Sequence, residues 1–146
     1  MTDMKEPIDI AIERFNGHYS CSQSIFSAFA PRYGLSDDQA LRIASPLGGG
    51  IARQGHVCGA VSGAMMVLGL ARGTADPQDK DEIYRLGAEF VARFEALHTS
   101  IRCRELIGYD LSLPEQASAA RDAGVTRRLC PAFVRSAAEI LADLLR

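Results

Sequence analysis

At 146 residues the chain has the length of one domain, long enough to bury a core without disulfide or metal scaffolding. Hydrophobic residues make up 47% and charged residues 23%, which excludes disorder as the default state. A formal charge of −2 leaves no basic surplus for neutralising phosphates, so no nucleic-acid partner is expected.

Residues 1–9 lack the basic start and apolar stretch of a secretory signal. The longest apolar run, residues 57–71, is too short for a membrane span, and its glycines and alanines suit close packing. The expectation is a protein not embedded in a membrane and located in the cytoplasm, where thiols stay reduced. Its four cysteines are then expected as ligands, redox groups or buried thiols rather than structural disulfides.

Strand signals are nearly absent, while helix signals are frequent and come with caps. With no internal repeat or linker, the expected fold is all-α: a compact single-domain bundle of about six helices over residues 1–146. The first helix follows Pro7 and runs to Phe15, ending at Asn16-Gly17. Ser20-Cys21-Ser22-Gln23 forms a capping box that opens the second, which carries Ile25, Phe26 and Phe29 inward until Gly34. Ser36-Asp37-Asp38-Gln39 repeats the device for a third helix that stops before Pro46.

A glycine-rich loop over residues 48–55 then leads into a helix of small and apolar residues from Cys58 to Leu70. Asp76-Pro77 pairs an N-cap with a proline at the first helical position. The helix it predicts places Asp79, Asp81 and Glu82 near its positive end and Ile83, Leu86, Phe90, Phe94 and Leu97 along one face. Thr99 or Ser100 caps a short helix that holds Cys103 and closes at Gly108. Residues 109–125 read as loop with helical turns, and Cys130-Pro131 starts the last helix, buried along Val134, Ala137, Leu141 and Leu144.

This pass puts Cys21, Cys103 and Cys130 in or beside the first turn of a helix, and Cys58 at the junction of the glycine loop with its helix. Unpaired N–H groups and the positive dipole end favour a thiolate at such positions, making the sulfur nucleophilic, oxidisable and able to bind a metal. There is no Cys-x-x-Cys, so neither a thioredoxin motif nor a zinc-ribbon knuckle is present. The sulfurs can meet only if folding points the helix starts at one centre; otherwise they are small buried hydrophobes. In the loop, Gly49, Gly50 and Gly55 let the backbone approach a ligand, Arg53 adds a positive charge, and His56 precedes Cys58. No Gly-Lys-Ser/Thr ending or preceding strand supports a phosphate loop.

The run Gly48-Gly49-Gly50, Arg53, Gly55, then Cys58-Gly59-Ala60-Val61-Ser62-Gly63-Ala64, ending Leu68-Gly69-Leu70, resembles the signature of the C_GCAxxG_C_C family of redox-active proteins. Cys21 upstream, and Cys103-Arg104-Glu105-Leu106 and Cys130 downstream, fit the order of that family's four characteristic cysteines. Ala52 stands where a glycine is more usual. The resemblance implies functional positions at Cys21, Cys58, Cys103 and Cys130, and a protein of a kind often encoded near transporter genes.

Other candidates are weaker. The histidines His18, His56 and His98 each precede a cysteine, which suits mixed ligation of zinc or a Rieske-like cluster but equally suits helix capping; His56 is the strongest of the three. Glu95-x-x-His98 lacks the second copy a di-iron carboxylate site needs. The small face Gly59-x-x-x-Gly63 reads as a close helix crossing in the core, and homodimerisation stays open. No serine-hydrolase elbow or dinucleotide fingerprint is present, and whether the protein is an enzyme stays open.

Three functions remain. The first is a metal or iron–sulfur protein for electron transfer or sensing, ligated by Cys21, Cys58, Cys103 and Cys130, with an iron–sulfur cluster or zinc as the cofactor and Gly49, Gly50, Arg53, Gly55 and His56 around it. The second is a metal-free thiol–disulfide protein with Cys58 and Cys21 as the reacting pair. The third is a non-catalytic helical module partnering a transporter. A redox partner is implied by the first two.

Overall fold

The computed structural model describes residues 4–146, so the first three residues of the expected domain and of the N-terminal stretch read for a signal lie outside the described part. Among the described residues the chain is all-helical, with eight α-helices rather than about six. They are α1 (Lys5–Asn16), α2 (Cys21–Phe29), α3 (Asp37–Ala44), α4 (Gly59–Arg72), α5 (Asp81–His98), α6 (Cys103–Ile107), α7 (Pro114–Asp122) and α8 (Val125–Leu144). Short 3-10 turns extend α2 and α3. No helix in the described chain is long and apolar enough to cross a membrane.

Local chemistry sets the first helices. Both expected capping boxes close: Ser20 Oγ accepts from the Gln23 amide and Ser36 Oγ from the Gln39 amide, while each glutamine oxygen accepts from its serine amide. Each box satisfies two amide groups that the helix start would otherwise leave bare, a contribution of about 1 kcal/mol per cap.

α2 and α4 share the most extensive packing of any two elements, through the small face of α4. A Cβ on Gly59 would lie 2.8 Å from the Ser22 backbone nitrogen and 3.3 Å from Cys21 Cβ, so only glycine lets the two helix starts come this close. The Gly59–Gly63 face is thus occupied within the chain, as the core reading expects. Around this pair, Phe29, Phe90, Phe94, Leu68, Val134 and Leu141 form the fully buried centre, with α5 and α8 closing it.

Several sequence expectations need correction, among them the cap of α6, which is Arg102 rather than Thr99 or Ser100. Residues 109–125 are not mainly loop: Pro114 takes the first turn of α7, a position that loses no hydrogen bond to a missing N–H. α5 starts at Asp81 rather than after Asp76, whose carboxylate instead accepts the Gln78 amide in a tight turn that leaves Asp79 outside the helix. Leu97 is 62% exposed, because the buried stripe of α5 ends at Phe94. α8 begins at Val125, one residue after a left-handed Gly124, so Cys130-Pro131 lies inside the helix and not at its start. The helix tolerates Pro131 because its buried stripe from Val125 to Ala142 offsets one lost hydrogen bond.

Candidate functional site

Folding brings the four cysteines to the wall of one cavity of about 610 Å³, although no two are closer than 27 residues in sequence. Cys21 is the first residue of α2 and Cys58 the N-cap of α4, so the glycine-mediated approach of these helices sets them side by side. Cys103 is the first residue of α6. Antiparallel backbone pairing at Val57 and Arg102 clips it beside Cys58: the Cys58 amide donates to the Ile101 carbonyl at 2.7 Å and the Cys103 amide to the His56 carbonyl at 2.7 Å. Cys130 enters from the interior of α8. Helix-start placement therefore holds for three of the four sulfurs.

The glycine loop closes another side. Gly49, Gly50, Ile51, Ala52 and Arg53 form an unbroken left-handed turn with φ between +50° and +71°. At Ile51, Ala52 and Arg53 this costs about 1–2 kcal/mol per residue relative to right-handed backbone. Hydrogen bonds from the Ile51, Ala52 and Arg53 amides to the Leu47, Pro46 and Gly48 carbonyls offset that cost. A Cβ on Gly50 would lie 2.6 Å from Cys103 Cβ and 2.6 Å from the His56 nitrogen, which shows how tightly the turn is seated against α6.

The thiols differ in acidity. Cys58 is held below its ordinary value, first by hydrogen bonding from the Cys21 thiol and then by the Ala60 and Val61 amides, against the opposing effect of burial. Those amides act as dipoles at the helix start; no side-chain capping hydrogen bond forms there. Cys21 is raised well above its ordinary value by hydrogen bonding to Cys130 and Cys58, with burial adding to it. Cys21 is half-buried and lines the cavity. Cys103 is pushed up to about 12, mainly by burial, with Cys58 and Cys130 adding to the shift.

Of the five loop residues expected around a cofactor, Gly49, Gly50 and Arg53 line the cavity; Gly55 and His56 do not. Gly55 packs toward Arg104 and Asp110, and the exposed His56 ring lies 3.5 Å from an Arg104 nitrogen. His18, ranked below His56 from sequence, does line the cavity. His98 sits elsewhere, tilted against Phe94 and edge-on to Phe133 and hydrogen-bonded to Ser136, with burial holding its pKa down. Arg127 on the cavity wall was missed from sequence. It stands three residues before Cys130, a same-face helical spacing that becomes visible only when α8 is extended back through Pro131.

As the side chains stand, no group of three or more Cys, His, Asp or Glu among the described residues is gathered closely enough to hold one metal ion. The structure instead sets Cys58, whose pKa is lowered, beside Cys21, whose pKa is raised.

A sequence model for a family described as "Putative redox-active protein (C_GCAxxG_C_C)" matches residues 19–144, nearly the whole chain. No curated protein and no solved structure matches it.

Proposed function

We propose, on the premise that the chain belongs to the C_GCAxxG_C_C family of redox-active proteins, that it works as a metal-free thiol–disulfide protein in which Cys58 attacks and Cys21 resolves. The observation that carries this reading is the close approach of the α2 and α4 starts at Gly59, which sets Cys21 and Cys58 side by side on one cavity wall; the lowered pKa of Cys58 agrees with it.

The Cys58 thiolate attacks one sulfur of a substrate disulfide, forming a Cys58–substrate disulfide and releasing the other half as a thiolate. The Cys21 thiol gives its proton to that leaving thiolate and then attacks Cys58 sulfur, displacing the second half. The substrate gains two electrons and, from Cys21, one proton; its second half leaves as a thiolate that takes its proton from water, and the protein is left with a Cys21–Cys58 disulfide. A reductant of the dithiol class reverses these steps. The glycine contact at Gly59, where an added Cβ would lie 3.3 Å from Cys21 Cβ, supports a bond between the two helix starts.

Mild oxidation of the metal-free protein, followed by alkylation and peptide mass spectrometry, should show a Cys21–Cys58 disulfide as the first product. Oxidation confined to Cys103, or none at all, would refute the assignment.

A second reading makes the four thiols ligands to zinc or an iron–sulfur cluster, the groups that soft thiolates select. Their position on one cavity wall supports it. It requires the side chains to close inward, since no three ligands are gathered among the described residues. Stoichiometric zinc, or iron with sulfide, in anaerobically purified protein would favour this reading over the first.

A further inference from the structure

The charge around the cavity is one-sided, and we infer that the cavity selects an anionic disulfide, received at its mouth by Arg53 and Arg127. This inference rests on the thiol–disulfide reading and specifies its substrate class.

No Asp or Glu side chain lines the cavity among the described residues, although the chain carries 18 acidic residues and a net charge of −2. Arg53 and Arg127 are exposed at the cavity and neither pairs with a carboxylate. Elsewhere most arginines do, as Arg14 with Asp37, Arg93 with Asp143 and Arg104 with Asp110 show. The Arg127 guanidinium instead contacts the His18 imidazole, which adds no negative charge. Asp110 lies behind the glycine loop and is engaged there by Arg104 at 3.9 Å and by the Ser112 hydroxyl at 2.5 Å. Nothing on the cavity wall therefore neutralises the two guanidinium groups.

Arg53 is also held at the cavity by the left-handed turn, with φ +60° at a residue whose side chain disfavours that conformation. Positive charge here has a chemical use. It offsets repulsion between the Cys58 thiolate and a negatively charged substrate, and it stabilises the thiolate that leaves when the substrate disulfide breaks. A carboxylate-bearing disulfide fits the planar, forked donors of arginine.

The test mixes reduced protein with three alkyl disulfides of different charge: dithiodipropionate (dianionic), hydroxyethyl disulfide (neutral) and cystamine (dicationic). Each rate is divided by the same reagent's rate with free mercaptoethanol, so that differences between leaving thiolates cancel. The formation of Cys58 mixed disulfide is timed by mass spectrometry. Dithiodipropionate should react about tenfold or more faster than cystamine at low salt, the lower range expected for electrostatic steering. The ratio should shrink several-fold at about 0.5 M salt as screening shortens. In Arg53→Gln/Arg127→Gln the ratio should fall toward one, while Arg53→Lys/Arg127→Lys should retain most of it, with circular dichroism confirming that both variants are folded.

Equal rates with all three reagents, faster reaction with cystamine, or an unchanged ratio in the folded Gln variant would overturn the anionic selection and leave the dithiol reading standing. Failure of all three disulfides to react with Cys58 would overturn the dithiol reading itself.

Discussion

Cys58 at the start of α4 and Cys103 at the start of α6 are both buried, face the same cavity, and are clipped together by the pairing of Val57 with Arg102. Yet the first is held below its ordinary pKa and the second is pushed up to about 12. Position at a helix start does not separate them; what surrounds each sulfur does. Cys58 has a protonated thiol, Cys21, donating toward it, and the amides of a 14-residue helix behind it. Cys103 heads a helix of five residues, too short to sum an appreciable dipole, and its neighbouring thiols add to the burial penalty. Burial alone raises a thiol, and a neighbouring donor is needed to reverse it.

The largest consequence is in reactivity. At neutral pH a thiol of pKa about 12 is thiolate in only about one molecule in 10⁵, against at least about one in 100 for a thiol below 9.0. The greater nucleophilicity of the more basic thiolate returns a factor of about thirty, which leaves Cys58 at least about thirtyfold faster. Brief alkylation with iodoacetamide, read by peptide mass spectrometry, should label Cys58 first. Cys58→Ser should remove the fast phase and Cys103→Ser should leave it in place. Comparable labelling of the two sites would break the comparison.

The next consequence is in stability at alkaline pH. The raised folded-state pKa of Cys103 gives stability that is fully present below the unfolded value of 9.0 and is lost as pH rises toward about 12. Between those values the unfolded chain has released a proton that the folded chain still holds, so stability falls by about 1.4 kcal/mol per pH unit. Urea unfolding at several pH values should show a shallower alkaline fall in Cys103→Ala than in the parent. Cys21, also raised, adds to the fall in both proteins. Parallel curves would show that the Cys103 thiol does not keep its proton.

These differences set what the sequence could reveal. The capping boxes at Ser20 and Ser36 were legible because their partners lie three residues away, within one turn. The start of α8 was not, because Cys130-Pro131 has the form of a first turn and only the tertiary burial of Val125 and Cys130 overrides it. Residues 114–122 concealed α7 because one buried residue, Ala120, is too few to make a hydrophobic period. At the site, the glycine loop and the four cysteines could be picked out by type and order, and the family resemblance carried them further than spacing did. Their meeting in one cavity depends on how α2, α4, α6 and α8 pack, which no local pattern encodes. The same holds for the sign of each pKa shift: three cysteines share a helix-start signal, and packing against particular neighbours divides them.

The finest test of that division uses the two charges flanking Cys103. Arg104 draws its pKa down and Asp110 pushes it up, both less than burial and the neighbouring thiols do. The two side chains approach each other at 3.9 Å and are partly exposed, so water screens each effect. Arg104→Gln should slow alkylation of Cys103 at alkaline pH and Asp110→Asn should speed it, each by about twofold, in line with a modest screened charge effect. Opposite signs from two neutralising changes at one ion pair separate electrostatics from loosening of the loop. Arg104 also ties the Gly55 carbonyl at 3.0 Å, so if access governed the reaction, Arg104→Gln would open the site and speed labelling. Faster labelling in both variants would mean that enclosure, rather than local charge, keeps Cys103 unreactive while Cys58 reacts.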